Sequence, residues 1–344
     1  MEQIKSLRQV RDFKVGEDRL TFSANGTEIA TGLTSDLYFI RTREILQNLK
    51  LDNTPVVAEV FSRKAGILCG IEECRRLLQH LDVQVEALPE GAPIEGGEVV
   101  MRIRGSYGAF GILETALLGI LASSSAWATA ARECVDAAGD KPVICFGARH
   151  VHPAVAPVME RAAIIGGAQG ASCILGAKLA NLEPVGTVPH ALFLIVGDTV
   201  TAAEAYHRLM PPDAPRTILV DTFKDEVEES LRVAEALGSN LDAIRLDTPA
   251  ERGGVTPGLV REVRARLDQA GFSHVGIFVS GGLNPQRIRE LVEAGADGLG
   301  VGSYISAASP MDMTLDIKEV NGKPIAKRGR IPGLVPSDRL KPLL

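Results

Sequence analysis

The sequence has no excess of positive charge. Its 344 residues contain 37 lysines and arginines against 43 acidic residues, which gives a net charge of −6. Proteins that hold nucleic acid or anionic membranes electrostatically need a basic surface, so we expect neither as a partner. A small phosphate-bearing ligand is compatible with this balance, because a few arginines and backbone amides are enough to bind it.

Cysteine is scarce, and its spacing shows no pattern. The five cysteines are odd in number and contain no Cys-x-x-Cys pair. This distribution favours reduced, buried thiols in a cytoplasmic protein over a disulfide framework.

Long apolar runs are missing with one exception. The first twenty residues are charged throughout, so we expect no signal peptide. Residues 115–131 are apolar or small over 17 positions, which is at the short end for a membrane span. Glu114 and Arg132 close this run, serines dilute it, and neither flank has a charge bias. We therefore predict a buried helix that links two domains.

The residues before this helix predict a small α/β sandwich. Residues 1–33 suggest short strands and turns, and a helix should begin from an N-cap at Thr34 or Ser35 and continue through Leu46. The remaining elements are strands at 56–61, 83–88 and 98–104 and a helix at 71–81. We assign residues 1–108 to this domain and 109–139 to the linker helix.

From residue 140 onward, apolar strands alternate with helices. The expected strands are 143–146, 185–188, 192–196, 218–220, 243–246, 276–279 and 299–301, with helices at 154–165, 225–237 and 256–270. This alternation predicts a parallel sheet, and the number of strands favours a barrel over a doubly wound sheet. The fold class is therefore an irregular (β/α) barrel over 140–308 with an N-terminal α/β sandwich. Asn321-Gly322 predicts a β-hairpin in a C-terminal extension, 309–344, which should pack back on the sandwich.

Glycines follow the last two predicted strands. The first strand ends in Ser280-Gly281-Gly282, and the second contains Gly300 and Gly302. Glycine lets backbone N–H groups approach an anion closely, and the loops after the last two strands of an α/β barrel commonly bind phosphate. We favour a phosphate site over the alternative that these glycines only make tight turns.

Charged residues follow several other strands of the predicted barrel. They are Arg149, His190, Asp221, Arg245 and Asp247. Two carboxylates and two guanidinium groups beside a phosphate site suit a nucleotide or sugar diphosphate with Mg²⁺. The alternative for the two aspartates is that they cap the helices that follow them.

Several segments together resemble nicotinate phosphoribosyltransferase, a type II phosphoribosyltransferase. They are TSDLYFIRT (34–42), ILETALLGILASSSAWATAAR (112–132), FGARHVHP (146–153), GTVPHAL (186–192), VDT (220–222), DGLGVGSYI (297–305) and DIKEVNGKPIAKR (316–328). The resemblance covers about residues 34–333.

The resemblance implies an enzyme of NAD biosynthesis. The family forms nicotinate mononucleotide and diphosphate from nicotinate and phosphoribosyl pyrophosphate, usually with ATP hydrolysis through a phosphorylated histidine. Its fold is a barrel with an N-terminal sandwich. Its dimers are head to tail, so we expect a homodimer with shared active sites or a higher oligomer of dimers.

The resemblance also implies roles for individual residues. Arg149 would bind the nicotinate carboxylate, and Tyr38 of a neighbouring subunit would stack on the pyridine ring. His190, beside Thr187, would be phosphorylated by ATP. Ribose, Mg²⁺ and diphosphate would be held by Asp221, Asp247 and Arg245. The 5′-phosphate would bind to Ser280, Gly281, Gly282, Gly300 and Gly302.

The sequence departs from the family pattern in three places. Thr248-Pro249-Ala250 replace the usual Ser-Gly-Asp, which removes a second carboxylate and puts metal binding in doubt. Gln169 stands where relatives often have Asp. No cysteine follows Cys173, so the four-cysteine zinc module of some relatives is excluded and no zinc is expected.

Two other functions remain open from the sequence. Quinolinate phosphoribosyltransferase shares the architecture, but it should have more Arg and Lys at the ring site and no use for the Gly-Thr-x-x-His segment. A non-catalytic sensor of phosphoribosyl ligands is the second, and the intact set of Arg149, His190, Asp221 and Asp247 speaks against it.

Overall fold

The computed structural model describes residues 3–16 and 18–344, which form two compact units. The sandwich unit comprises Met1–Thr129 and Ser309–Leu344, and the barrel unit comprises Ala130–Ala308. The helices are α1 (Leu7–Asp12), α2 (Gly26–Ala30), α3 (Leu37–Asn48), α4 (Ile71–Leu78), α5 (Tyr107–Phe110), α6 (Glu114–Ala138), α7 (Ala156–Ile165), α8 (Ile174–Leu179), α9 (His190–Val196), α10 (Thr199–Leu209), α11 (Glu226–Leu237), α12 (Pro257–Gln269), α13 (Pro285–Glu293) and α14 (Ser303–Ser306).

The strands are mostly short in the barrel unit and longer in the sandwich unit. They are β1 (Pro55–Ser62), β2 (Gly66–Ile67), β3 (Val83–Ala87), β4 (Pro93–Ile94), β5 (Val99–Ser106), β6 (Val143–Cys145), β7 (Gly170–Ala171), β8 (Thr217–Leu219), β9 (Ala243–Leu246), β10 (Gly276–Ser280), β11 (Gly298–Val301), β12 (Met313–Val320), β13 (Lys323–Pro324) and β14 (Lys341–Pro342). Short 3₁₀ turns lie at Gly111–Leu113, Ala148–His150, Gly238–Asn240 and Ala250–Arg252.

The sandwich unit is built on an antiparallel sheet with the strand order β13-β12-β1-β5-β3-β14. The C-terminal segment contributes three of these strands, because β12 pairs with β1 and β14 pairs with β3. Asn321 and Gly322 connect β12 to β13 with φ angles of 50° and 71°. Two successive positive φ angles are those of a type I′ turn, so the predicted hairpin is confirmed.

Helix α6 is a core helix. Its side chains Leu117, Leu121 and Ala128 are fully buried. The stretch Tyr107–Ala138 is long and apolar enough to cross a membrane, and half of its most apolar window is buried inside the protein. Burial of this kind is typical of a soluble protein's central helix, as the polar dilution of the run predicted.

The barrel unit contains a parallel sheet with the order β7-β6-β11-β10-β9-β8. Its first strand, β6, lies beside its last strand, β11, with Leu299 opposite Val143. This cyclic order is the one a barrel requires. Within the described residues no strand ladder joins β7 to β8, so the ring is irregular there. The Val185 amide donates to the Ala171 carbonyl at 2.9 Å, which continues the ring beyond β7 with an extended segment.

Four local predictions were wrong. Residues 185–188 do not form a strand, although the Val185 amide donates to the Ala171 carbonyl. Residues 192–196 lie in helix α9, because a short apolar run between Pro189 and Gly197 fits either structure and only Phe193 of it is buried. Helix α3 begins from Asp36 and not from Thr34 or Ser35. The described part of residues 1–33 contains helices α1 and α2, each begun by a capping box, and not strands. Met1, Glu2 and Glu17 lie outside the described residues.

Candidate active site

A cavity of about 420 Å³ lies at the carboxyl ends of the parallel strands of the barrel unit. Its walls come from the segments that follow β6, β9, β10 and β11, together with residues 186–190. Polar strand ends meet at one edge of a parallel sheet, which is where α/β barrels carry their active sites. The predicted site residues in this wall are Arg149, Thr187, His190, Arg245, Asp247, Ser280, Gly281, Gly282, Gly300 and Gly302.

Arg245 is held by three protein groups. Its Nε donates to Ser280 Oγ at 2.9 Å, and its Nη1 donates to Thr187 Oγ1 at 2.8 Å. Its Nη2 donates to Asp247 Oδ2 at 3.3 Å. The guanidinium carbon also lies 5.1 Å from the centre of the Phe146 ring. Arg245 therefore links four walls of the cavity, and two of its five N–H groups remain for a ligand.

Burial and charge act against each other at Arg245. Burial lowers the pKa of the guanidinium from its usual value, and the carboxylates of Asp247 and Asp221 raise it again. A guanidinium titrates so far above neutrality that it stays charged through such a change. The cavity wall thus carries a permanent cation at Arg245.

Asp247 faces the cavity and does not cap a helix. Its Oδ1 accepts a hydrogen bond from Ser280 Oγ at 2.8 Å. Helix α12 is capped by Thr256, and helix α11, which follows Asp221, is capped by Asp225. The capping explanation is therefore wrong for both Asp221 and Asp247.

The glycines of the two loops are required for different reasons. Gly281 and Gly282 have φ angles of 94° and 62°, a region that side chains disfavour. At Gly300, a Cβ would lie 2.6 Å from Cε2 of Phe146. At Gly302, a Cβ would lie 2.8 Å from Cε1 of His150. Gly281 and Gly282 thus permit the left-handed backbone of their loop, and Gly300 and Gly302 let aromatic rings pack closely against the chain.

Arg149 lies in the 3₁₀ turn Ala148–His150 and is exposed. Within residues 3–16 and 18–344, its guanidinium has no hydrogen bond and no ion pair. Arg149 thus differs from Arg245, because all of its donors are free for a ligand. A planar guanidinium of this kind binds a carboxylate through two parallel hydrogen bonds.

His190 is the first residue of α9 and does not end a strand. Its Nε2 lies 3.1 Å from Oδ2 of Asp221, whose side chain is 1% exposed against 39% for the histidine. Burial raises the pKa of Asp221 above its usual value, and the neighbouring His190 lowers it in part. In the described chain, neither Asp221 oxygen accepts a well-directed hydrogen bond. Asp221 lies behind His190 and is not part of the cavity wall itself.

A metal ion bound here would have at most two carboxylates as protein ligands and not a complete set. The described residues contain no group of three or more His, Cys, Asp or Glu side chains that could hold a metal ion. Mg²⁺ often binds to one or two carboxylates and completes its shell with water and substrate phosphates. Asp247 faces the cavity and fits that kind of binding, whereas the buried Asp221 is in contact with His190 and could support a metal there only indirectly.

Two of the residues at which the sequence departs from the family pattern have structural partners. Thr248 Oγ1 donates to Glu226 Oε1 at 2.8 Å, and both side chains are buried. Gln169 Oε1 accepts from the Val143 amide at 2.7 Å. Neither residue lines the cavity.

Tyr38 lies in the sandwich unit, in the first turn of α3, and is 56% exposed. Its ring centre is 4.2 Å from that of Phe39. Its predicted contact with a second subunit stays a prediction.

Sequence reasoning missed several residues of the cavity wall. Phe146, His150, Ser172 and Ser303 all line it. Phe146 begins the Phe-Gly-x-Arg segment and His150 directly follows it, so their place at a strand end was visible in the sequence. Ser172 follows β7, whose two residues, Gly170 and Ala171, are too few to give a strand pattern.

This arrangement is a polar cavity at the carboxyl ends of parallel strands, which is where α/β enzymes bind their substrates. Family models for the N-terminal and C-terminal domains of quinolinate phosphoribosyl transferase match residues 36–125 and 127–316. The chain therefore belongs to the quinolinate phosphoribosyl transferase family, the type II phosphoribosyltransferases. The family-level resemblance found in the sequence is thereby confirmed.

Relatives within this family have two different names. The chain is 29% identical over 339 residues to nicotinate phosphoribosyltransferase pncB1 of Mycobacterium tuberculosis, covering 86% of this chain and 74% of the relative. Its sequence is 46% identical to that of nicotinate-nucleotide pyrophosphorylase from Pyrococcus furiosus. The crystal structure of that protein matches this fold with a TM-score of 0.88 over 92% of this chain and 82% of that one. Human nicotinic acid phosphoribosyltransferase shares the fold, with a TM-score of 0.70 at 19% identity over 87% and 77% of the two chains.

Proposed function

We propose that this protein is a nicotinate phosphoribosyltransferase of NAD biosynthesis. The observation that carries this proposal is the contrast between the two cavity arginines. Arg245 is engaged by Ser280, Thr187 and Asp247, whereas Arg149 has no partner in the described chain. One free guanidinium suits a pyridine ring with one carboxylate. The cavity wall contains no lysine that could bind a second carboxylate.

The reaction needs positioning and charge neutralisation more than a protein nucleophile. The pyridine nitrogen of nicotinate attacks the anomeric carbon of phosphoribosyl pyrophosphate as the bond to diphosphate breaks, through an oxocarbenium-like state. Arg149 binds the carboxylate and aims the nitrogen. The backbone N–H groups of Ser280, Gly281 and Gly282, with the loop at Gly300 and Gly302, bind the 5′-phosphate.

The leaving diphosphate is placed at the side of the cavity that holds Arg245 and Asp247. Arg245 has two N–H groups left for its oxygens, Asp247 would hold Mg²⁺, and the buried Asp221 would add negative charge behind His190. When bound, Mg²⁺ supplies positive charge to the departing oxygens. No zinc is proposed.

His190 would couple synthesis to ATP hydrolysis. With its proton on Nε2, the nitrogen 3.1 Å from the Asp221 carboxylate, His190 would keep the lone pair of Nδ1 for attack on the γ-phosphate of ATP. The phosphoryl group moves to Nδ1 and ADP leaves. The resulting dianion changes the affinity of the neighbouring cavity for anionic substrates, and that change is the coupling.

We also propose a homodimer in which Tyr38 of one subunit reaches the site of the other. Tyr38 is exposed in the sandwich unit. In the barrel unit, Leu194 and Ile195 of α9, the helix that carries His190, are 62% and 85% exposed. Large contiguous apolar patches mark surfaces that another protein covers, and the proposed dimer would bury Leu194 and Ile195 in such a patch. A higher oligomer of such dimers is compatible with the same contacts.

Quinolinate phosphoribosyltransferase is the second candidate. The family models carry its name, and the relative from Pyrococcus furiosus at 46% identity is a nicotinate-nucleotide pyrophosphorylase. Against it stands the cavity, because a dicarboxylate needs cations for two carboxylates at the ring site. A non-catalytic sensor is disfavoured because Arg149, His190 and Asp247 line one cavity and Asp221 lies against His190.

The test is an assay with one base at a time. The purified protein is incubated with phosphoribosyl pyrophosphate, Mg²⁺ and nicotinate, nicotinamide or quinolinate, with and without ATP, and mononucleotide and diphosphate are measured. The proposal expects product from nicotinate, and more of it with ATP. Product from quinolinate with release of CO₂ would establish the second candidate, and absence of diphosphate release with every base would favour the sensor.

A further inference from the structure

Glu160 is a buried carboxylate outside the cavity wall for which the reaction has no direct use. It lies in α7 and is 0% exposed. In the described chain no Lys, Arg or His nitrogen lies within ion-pair distance of it. A buried carboxylate without a cation is costly unless directed hydrogen bonds satisfy its oxygens.

Three such hydrogen bonds reach Glu160 from two loops. Oε1 accepts from the Ala148 amide at 3.1 Å and from Ser172 Oγ at 2.9 Å. Oε2 accepts from the Cys173 amide at 2.5 Å. Ala148 follows β6, and residues 172–173 follow β7, so one side chain joins the ends of two neighbouring strands.

Ala148 directly precedes Arg149, so the hydrogen bond from the Ala148 amide to Glu160 fixes the backbone next to Arg149. The Arg149 side chain has no protein partner of its own, so its place in the cavity is set by the backbone of its turn. Ala148 and Ser172 both line the cavity, whereas Glu160 does not. A shift of about 1 Å in a substrate-positioning group can change a rate by roughly a hundredfold.

We propose that Glu160 is a positioning residue that fixes the Arg149 turn against the Ser172 loop and thereby sets the affinity for the pyridine carboxylate. This inference rests on the proposed role of Arg149. It assigns to Glu160 no contact with substrate. A glutamine cannot replace it fully, because an amide offers one acceptor oxygen where three donors converge.

The test compares Glu160→Gln with Glu229→Gln. Glu229 is also a fully buried helical glutamate of the barrel unit, but it pairs with Arg232 at 2.8 Å and does not line the cavity. Each variant is assayed with the pyridine carboxylate that the wild type uses. Glu160→Gln should raise the KM for that base roughly tenfold to a hundredfold and change the KM for phosphoribosyl pyrophosphate less than about threefold. Glu229→Gln should lower the melting temperature and leave both KM values within about twofold.

A second measurement separates positioning from general loosening. In an Arg149→Ala background, Glu160→Gln should cause little further loss of base affinity by calorimetry, because the group it positions is gone. Equal losses of affinity for both substrates, or full additivity with Arg149→Ala, would overturn the inference. If Glu160→Gln does not fold, Glu160→Asp, which keeps the charge but is one methylene shorter, should show the same selective rise in KM. If the wild type forms no mononucleotide from any pyridine carboxylate, the proposed function itself is rejected, and this result is distinct from a failure of the inference about Glu160.

Discussion

Nε2 of His190 lies 3.1 Å from Oδ2 of Asp221, so an exposed imidazole at the cavity is backed by a buried carboxylate. A carboxylate at this distance favours the tautomer with the proton on Nε2, although the contact is not a well-directed hydrogen bond. In the proposed coupling, that tautomer leaves Nδ1 as the nucleophilic atom. This geometry gives the proposed ATP coupling a specific residue and a specific nitrogen.

The first prediction concerns this pair. His190→Asn should abolish ATP hydrolysis and its stimulation of synthesis while a slow, ATP-independent reaction remains. Asp221→Asn should reduce labelling but keep the histidine. The measurement is acid-labile ³²P incorporation from γ-labelled ATP, with His274→Asn, an exposed histidine of the barrel unit, as the control. Equal labelling of His190→Asn and wild type, or no labelling of the wild type, would remove His190 from this role.

The second prediction concerns the subunit boundary. Tyr38→Ala and Arg149→Ala should each be nearly inactive alone if Tyr38 completes the neighbouring subunit's site. After denaturation and joint refolding, the mixture should regain roughly a quarter of wild-type activity, because half of random dimers are mixed and each has one intact site. A mixture as inactive as its components would place Tyr38 and Arg149 in the same site of one chain, or Tyr38 in none.

The third prediction concerns Gly300. A Cβ there would lie 2.6 Å from Cε2 of Phe146 and 3.1 Å from Cε1 of Phe278, so both rings would have to move. Gly300→Ala should lower the free energy of unfolding by about 1–3 kcal/mol and, through Phe146 under Arg245, raise the KM for phosphoribosyl pyrophosphate. Gly258→Ala in α12 is the control, since its nearest contact is an ordinary 3.7 Å. Denaturant unfolding curves that coincide for Gly300→Ala and wild type would contradict the packing role.

The fourth prediction concerns Glu114 at the start of α6. Burial raises the pKa of its carboxyl from 4.5 to about 7, and the nearby Asp316 adds to that rise. The folded chain therefore binds this proton more tightly than the unfolded chain, so stability falls as pH rises from about 4.5 to about 7. Glu114→Gln removes this loss and should raise the free energy of unfolding by about 1–3 kcal/mol at pH 8 and by less at pH 5.

The control for Glu114 is Glu95→Gln, an exposed glutamate of the same unit. It removes the same charge without relieving burial, so its effect should be small at both pH values. A Glu114→Gln gain that is the same at pH 5 and pH 8 would show that the carboxyl does not titrate differently in the folded chain.

Much of the site could be predicted from the sequence, because its residues directly follow the strands of a parallel sheet. Each polar strand end, such as Arg149, Asp247 and Ser280, lies at the same edge of a parallel sheet, so reading the ends of apolar runs was enough to collect them. The two aspartates were ambiguous from sequence alone. Only the caps at Asp225 and Thr256 showed that neither Asp221 nor Asp247 caps a helix.

The rest depended on tertiary contacts that leave no local pattern. The engagement of Arg245 by Thr187 joins residues 58 positions apart. Strand β7 has two residues, and α9 is a seven-residue apolar run that fits a strand equally well. Glu160 gives no signal in sequence, because a glutamate in a helix is ordinarily exposed and only its burial shows that it joins two loops.

The fifth prediction concerns Arg149. Arg149→Ala should reduce kcat/KM for nicotinate by a factor corresponding to about 2–4 kcal/mol, because it removes the two-point partner of the carboxylate. Binding of phosphoribosyl pyrophosphate, followed by calorimetry, should change far less. Arg149→Lys is the matched variant, and it should recover only part of the loss because an ammonium cannot make two parallel hydrogen bonds. Unchanged nicotinate kinetics in Arg149→Ala would remove this residue from base recognition.

The most direct measurement of the central claim is a competition between the two bases in one reaction. Wild-type protein receives phosphoribosyl pyrophosphate, Mg²⁺, ATP and equal amounts of nicotinate and quinolinate, the latter labelled with ¹⁴C in the carboxyl group that decarboxylation removes. A cavity with one free guanidinium, at Arg149, should form nicotinate mononucleotide and diphosphate in equal amounts with no release of ¹⁴CO₂. Release of ¹⁴CO₂ in proportion to mononucleotide formation would contradict the proposal and identify the protein as a quinolinate phosphoribosyltransferase.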